Sequence, residues 1–380
     1  MNAERTWGLD IAELQRAWSS YGHDFLLHDP GGPAESLVRR GELLATVDVF
    51  EPVLARCRRW VDEVRHDAAA GVSRVLLRPA ERDRCVEMAQ ESGGAAHHVH
   101  LGSPVMFGTP VMFGTPVMFG TGAEPGDAAA PSPPAPGTWS PRVVVDVLDT
   151  GCDPHPWFRD EAWFEPVPEV LDADDDSGQD RQAGHGTFVS GVVRRHAPGA
   201  VVRAHRVLSS LGFTDDLRVV AGLRRARELA ARRGERIGAL VLTSGCRTAD
   251  DRCPPVLRAE LARWAGAVVV AAAGNHGGTR PFWPAALDSV VAVAATGPDG
   301  AVAGFSGAGD WVDAAAPGVD VVSSYVRMSG PDGRVYGYAR WSGTSFAAPR
   351  VAAAAVTALH EGRGPAEARA IACRDYPFGR

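Results

Sequence analysis

Residues 143–151 read Val-Val-Val-Asp-Val-Leu-Asp-Thr-Gly, and the fold is decided there. A strand wetted on one face alternates apolar and polar residues. This run is β-branched almost without a break, which predicts a strand covered on both faces. Working outward, Val201–Val207, Ala239–Thr243, Ala267–Ala273 and Val290–Ala295 have the same buried-strand character. Phe188–Arg195, Asp216–Arg232 and Pro255–Ala265 read as helices. Such alternation predicts an α/β fold with a parallel sheet and helices on both of its faces. In sheets of this kind the chemistry gathers beyond the carboxyl ends of the strands.

Four reactive groups fall where that rule puts them. Asp149 ends the first strand, His185 opens a helix between two glycines, Asn275 follows the strand ending at Ala273, and Ser345 opens a helix of small residues. Taken singly, each has an ordinary reading. Asp149 and Asn275 suit turns, and His185 and Ser345 suit helix caps. Together they suit one reaction. A serine hydroxyl needs a base, and histidine can take its proton and return it to a leaving group. A buried carboxylate holds the imidazole in the right tautomer. The Asn275 amide and the backbone N–H of Ser345 could stabilise an oxyanion. Glycines 184, 186 and 343 would let a substrate backbone come close.

The chain resembles a subtilisin-like serine peptidase, a subtilase, over about 142–375. The resemblance is carried by VVVDVLDTG (143–151), GHGTFVSGVV (184–193), AAAGN (271–275) and SGTSFAAP (342–349), in the chain order Asp, His, Ser. It implies a subtilisin-like three-layer sandwich, with a mostly parallel central sheet flanked by helices and a small α+β unit in front. It also implies a serine endopeptidase working through an acyl-enzyme intermediate. Asp149 would orient, His185 would act as base, Ser345 as nucleophile and Asn275 as oxyanion donor. Where the family has Ser-Leu-Gly pairing with substrate, this chain has LTSGC, so Ser244 and Gly245 take that place, with Cys246 an unusual neighbour. Gly212 and Phe213 in SSLGF would form the opposite rim, and the short loop after Asn275 that carries Arg280 and Phe282 would line S1, with Arg280 either favouring acidic P1 residues or facing water. Cys152 reads as a small buried hydrophobe. If it lies under His185, thiol reagents would inactivate the enzyme, as in some family members.

No cofactor is required for such a reaction and no metal is assigned to the site. The family's calcium loop is not recognisable, although the Asp172–Asp176 run could hold Ca2+. The histidines of HHVH at 97–100 read as strand-edge residues.

The front of the chain divides in two. Residues 1–101 read as an α+β accessory or propeptide-like unit, with a helix at Ile11–Trp18 and then Leu44–Phe50 (strand), Val53–Val64 (helix), Val72–Leu77 (strand), Arg82–Gln90 (helix) and Ala96–Leu101 (strand). Residues 102–141 hold PVMFGT three times without error, followed by a Pro/Ala/Gly-rich linker. Residues 142–380 would be the catalytic domain. Many subtilases begin with a propeptide whose tail lies in the active-site cleft. The array would then be a self-inhibitory or autoprocessing segment, with Phe107, Phe113, Phe119 or the preceding Met residues suited to an apolar S1 pocket. A slippage-expanded linker is the plainer reading of the same repeats.

Composition narrows the partners. Lys plus Arg number 39 against 46 Asp plus Glu, a net charge of −7, which disfavours nucleic acid. No apolar run is long enough for a membrane helix. The first residues lack the apolar core of a secretory signal, so the expected location is cytoplasmic and the cysteines are read as thiols, with Cys246 and Cys253 near enough in sequence to bridge under an oxidant. The partner is then a polypeptide substrate, and by the self-inhibitory reading the chain's own repeats. A dedicated maturation or defence protease is the alternative within this chemistry, and a catalytically silent peptide-binding pseudoprotease is the alternative outside it.

Overall fold

A computed structural model describes residues 24–68, 71–102, 125–330 and 333–379. The helix expected at Ile11–Trp18 and the PVMFGT array lie outside the described residues.

The N-terminal part runs β1 (Phe25–His28), β2 (Ser36–Thr46), α1 (Phe50–Cys57), β3 (Val61–Asp67), β4 (Val72–Leu77), α2 (Cys85–Ser92) and β5 (Ala95–Leu101). The sheet is antiparallel in the order β3-β4-β2-β5, with β1 also paired to β2. Two expectations are corrected here. The strand expected at Leu44–Phe50 starts at Ser36 and ends at Thr46, and the helix expected at Val53–Val64 stops at Cys57. Val61–Asp67 instead pairs with β4 from Val61 to Asp67. Pairing in a hairpin with the neighbouring β4 overrides the helical spacing of Val53, Cys57 and Val64.

The remainder continues through β6 (Gly126–Asp127), β7 (Val144–Asp149), α3 (His185–His196), β8 (Val201–Arg206), β9 (Phe213–Asp215), α4 (Asp216–Arg233), β10 (Ile237–Leu242) and α5 (Pro255–Leu261). It closes with β11 (Val268–Ala272), β12 (Val291–Thr296), β13 (Ala314–Pro317), β14 (Val321–Met328), β15 (Arg334–Trp341), α6 (Thr344–His360) and α7 (Pro365–Asp375). The central sheet is parallel throughout, ordered β13-β12-β11-β10-β7-β8. Val145 and Val147 of β7 join Phe188, Phe346 and Val351 in the core under α3 and α6. Leu148 joins Leu223 and Leu257 under α4 and α5 on the other face. Filling both faces is the reason the β7 sequence does not alternate. β14 and β15 form an antiparallel hairpin to which β6 adds.

One charge stands in the middle of this apolar strand. Asp146 is fully buried, and it accepts from Arg203 Nε at 2.5 Å and Nη2 at 2.9 Å, with His205 Nε2 at 2.8 Å. Arg203 also donates to Glu235 at 2.8 Å. Removing one member of a buried pair strands the other charge, at a typical cost of about 3–5 kcal/mol. Urea unfolding of Asp146→Asn is expected to show a loss of that order. Asp146→Val combined with Arg203→Met should lose less than the single change. An unshifted midpoint for Asp146→Asn would contradict this account of the strand.

Candidate active site

The site is assembled at the carboxyl ends of β7 and β10 and the first turns of α3 and α6. Asp149 is the last residue of β7, and its Oδ1 lies 2.7 Å from His185 Nδ1. The same oxygen accepts from Thr150 N at 2.7 Å, while Oδ2 accepts from Thr243 Oγ1 at 2.5 Å. Burial works to raise the Asp149 pKa, but His185, Thr243 and Thr150 outweigh it and hold the carboxyl below its ordinary range. His185 Nε2, the opposite edge of the ring, is buried and makes no hydrogen bond among the described residues. Ser345 Oγ donates to the Thr243 carbonyl at 3.3 Å. Thr243 therefore touches two of the three groups, through its hydroxyl and through its carbonyl.

Asn275 is pinned by its carbonyl end. Its Oδ1 accepts from Thr344 N and Thr344 Oγ1, both at 2.9 Å. That leaves the amino end of the amide as the donor for an incoming charge, beside the start of α6, where the first backbone N–H groups lack intrahelical acceptors. The chain thus brings Asp149, His185, Ser345 and Asn275 to one place. Thr243, Thr344 and Glu169 were not foreseen. A threonine ending a buried strand and a threonine before the serine were available signals. Glu169 offers none: it is buried, accepts from Thr187 N at 2.8 Å and Thr187 Oγ1 at 2.9 Å, and burial pushes its pKa up to about 7.

The two rims expected to hold substrate are occupied by the chain's own strand. β5 pairs antiparallel with β9, Leu101 opposite Phe213. On its other side Leu101 N donates to Gly245 O at 2.7 Å, and Gly245 N donates to Leu101 O at 3.0 Å. Gly102 N donates to Gly212 O at 2.9 Å. Gly212, Phe213 and Gly245 are all engaged, and Ser244 lies buried between Thr243 and Gly245. A side chain at 245 would meet Phe282 and the Trp283 carbonyl, both 2.5 Å from an added Cβ. The Phe213 ring packs with Phe25, Leu37, Val99 and Leu101.

Several expectations change. Arg280 does not line S1: it donates to Glu35 O at 2.7 Å, Thr248 O at 2.5 Å and Asp251 Oδ1 at 2.8 Å, tying the N-terminal part to a loop. Phe282 packs behind Gly245 and Gly274. Gly184 and Gly186 face Tyr325 and the Gly151 backbone, so they serve internal packing. The Asp172, Asp174 and Asp176 carboxylates can each place an oxygen within 4.8 Å of the others, although Asp172 already accepts from Asp176 N and Ser177 N. Cys152 is buried, and burial pushes its thiol far up, so it is poorly reactive in the folded chain.

The histidines at 97–100 are not strand-edge residues in water. They line a polar seam between β5 and the start of α4. His97 Nδ1 lies 2.9 Å from Glu42 Oε2, and Nε2 lies 3.5 Å from Asp215 Oδ1. Arg39 Nη1 donates to Asp215 Oδ2 at 2.8 Å. His98 and His100 both reach Asp216. Burial pulls the His97 pKa down, but Asp215 and Glu42 outweigh it and raise it to about 9. Burial likewise opposes ionisation of Glu42, yet His97, Arg39 and Arg74 bring it down to about 2. The raised histidine contributes stability below pH 6.5, its ordinary value, and loses it as pH rises through about 9. The lowered Glu42 contributes above pH 4.5 and loses this as pH falls through about 2. The seam is therefore strongest between about pH 4.5 and 6.5. Thermal unfolding of full-length Ser345→Ala protein should show a falling Tm from pH 7 to 10, with a shallower slope in the added His97→Gln. Equal slopes would contradict the assignment.

The sequence pattern of the Subtilase family matches residues 140–371, and the chain belongs to that family. Minor extracellular protease Epr of Bacillus subtilis (strain 168) is 32% identical over 241 residues, covering 61% of this chain and 34% of Epr. This chain thus matches about a third of Epr's length. Thermitase of Thermoactinomyces vulgaris is 34% identical over 209 residues, 52% of this chain and 68% of thermitase. The crystal structure of fervidolysin from Fervidobacterium pennivorans, titled a keratinolytic enzyme related to subtilisin, overlays with a TM-score of 0.55 at 19% identity, covering 86% of this chain and 56% of that one. The fold is the α/β subtilisin fold. No helix among the described residues is long and apolar enough to cross a membrane.

Proposed function

We propose that this chain is a serine endopeptidase that cleaves extended polypeptides and is held latent by its own N-terminal strand. The observation that carries the reading is the hydrogen-bonded set Asp149–His185 and Thr243–Ser345, placed where β5 already lies as an antiparallel strand. A peptide in that groove would take the place of Leu101 and Gly102, bound through main-chain hydrogen bonds. Ser345 Oγ would swing from the Thr243 carbonyl to His185 Nε2 and attack the scissile carbonyl carbon. His185 takes the hydroxyl proton and returns it to the leaving amine. Asp149 holds the ring and offsets its positive charge. The oxyanion meets Asn275 Nδ2 and the Ser345 N–H, and water then hydrolyses the acyl-enzyme.

This scheme uses only the chain's own groups. Calcium on the Asp172–Asp176 carboxylates would be a structural addition. In a reducing, cytoplasmic setting the six cysteines would remain thiols.

The repeats extend the latency. Residues 103–124 lie outside the described residues, but their sequence can be set against the strand that docks. Leu101-Gly102-Ser103 has the pattern apolar, glycine, hydroxyl. Phe107-Gly108-Thr109, Phe113-Gly114-Thr115 and Phe119-Gly120-Thr121 repeat it every six residues. The array would offer the same rims successive equivalent strands, and it would be cut when the enzyme processes itself.

A fluorophosphonate probe should attach to Ser345 and fail to attach in His185→Ala. Asn275→Ala should lower kcat by about 10²–10³, the magnitude measured in subtilisin itself. Absence of the adduct from protein already cleaved near the repeats would favour a silent peptide-binding protein instead. For the array, intact-mass comparison of wild type with Ser345→Ala should show N-terminal loss in wild type alone. Full-length active protein, with turnover unchanged on deleting 104–121, would exclude self-processing through the repeats.

A further inference from the structure

A second constellation lies in the seam, and peptide hydrolysis makes no use of it. A His100 ring nitrogen, an Asp216 carboxylate oxygen and Cys246 Sγ all lie within 4.8 Å of one another. They come from three separate elements, β5, the first residue of α4 and the loop after β10. All three side chains are buried, His100 and Asp216 completely. We propose that His100, Asp216 and Cys246 form a site for a divalent transition metal, zinc by its ligand chemistry, joining the N-terminal strand to the catalytic domain.

Imidazole nitrogen, carboxylate oxygen and thiolate sulfur bind zinc at about 2.0–2.3 Å, so tetrahedral neighbours stand roughly 3.3–3.8 Å apart. The three atoms lie within 4.8 Å of one another and would adjust to that spacing on binding, His100 Nε2 and Asp216 Oδ1 moving apart from 2.8 Å. His100 Nε2 lies 2.8 Å from Asp216 Oδ1, and a cation ligated there would leave the ring proton on Nδ1, keeping the imidazole neutral. The other carboxylate oxygen is already oriented: Asp216 Oδ2 accepts from His98 N at 2.7 Å and lies 3.2 Å from His98 Nδ1. Such an outer partner is characteristic of metal-ligating carboxylates.

The thiol supplies an independent observation. Of the five buried cysteines, four donate to a backbone carbonyl: Cys57 to Val53, Cys85 to Arg39, Cys152 to Asp153 and Cys253 to Pro254. Cys246, about 1% exposed, donates to none among the described residues and lies toward His100 and Asp216. Binding would exchange its thiol proton for the metal–sulfur bond, releasing that proton to solvent. One dication, one thiolate and one carboxylate then sum to zero charge, as a buried site requires. Cys253 sits in the same apolar cluster as Cys246 and would be a candidate fourth ligand. Because His100 belongs to β5, the ion would fasten the strand that fills the groove.

The test uses reduced, full-length Ser345→Ala protein titrated with cobalt(II) and then zinc(II). The proposal expects one cobalt per chain with an intense near-ultraviolet thiolate-to-cobalt band, displaced by zinc. The band should vanish in Cys246→Ser and persist in Cys373→Ser, which alters the half-buried thiol. His98→Ala should weaken binding about 10–100-fold. Cobalt bound without a thiolate band, or a band surviving in Cys246→Ser, overturns the site. If Cys246→Ser fails to fold, His100→Ala decides in its place: loss of the cobalt band supports the site and an unchanged band overturns it. Probe labelling of wild-type Ser345 reports separately on the peptidase reading, which this site does not need.

Discussion

The pairing of Leu101 with Gly245 on one side and Phe213 on the other is the constraint on which the rest of the structure turns. β5 continues the N-terminal antiparallel sheet onto β9 of the catalytic part and, through its bridge to Gly245, fills the groove beside the parallel sheet. An extended strand in a groove needs both of its backbone edges satisfied, and here both are. Everything nearby follows from that seat. The side chains of β5 bring His97, His98 and His100 against Asp215 and Asp216, and Arg280 reaches across to Glu35.

Beneath the strand, Thr243 couples the groove to the chemistry. It directly follows β10, whose last residue Leu242 is held by β7 and β11 on either side. Its hydroxyl fixes Asp149 and its carbonyl receives Ser345. Two residues later in the same segment, Gly245 holds Leu101. A disturbance of β10 would therefore act on binding and on catalytic alignment together.

Much of the parallel sheet was legible because burial on both faces leaves an unmistakable run such as 143–148, and because chemistry follows strand ends. Asp149, His185, Asn275 and Ser345 could be named for that reason, and the structure places them together. The N-terminal sheet was less legible. β2 contains Arg39, Arg40 and Glu42, charges that no local pattern marks as buried, yet Arg39 and Glu42 are buried because Asp215 and His97 meet them from distant positions. β3 was hidden by the helical spacing of its first residues, although its partner β4 follows directly, and the long-range pairing of β5 with β9 hid that 97–100 are not at a strand edge. Arg280 was misplaced for a related reason: its partners lie in Glu35, Thr248 and Asp251, which no local pattern connects.

Amide hydrogen exchange, read residue by residue in full-length Ser345→Ala protein, tests most directly whether β5 fills the groove. The account predicts that the N–H groups of Leu101, Gly102 and Gly245 are protected together, to the level of the neighbouring sheet. Free exchange at Leu101 and Gly245 while β2 and β4 remain protected would contradict it.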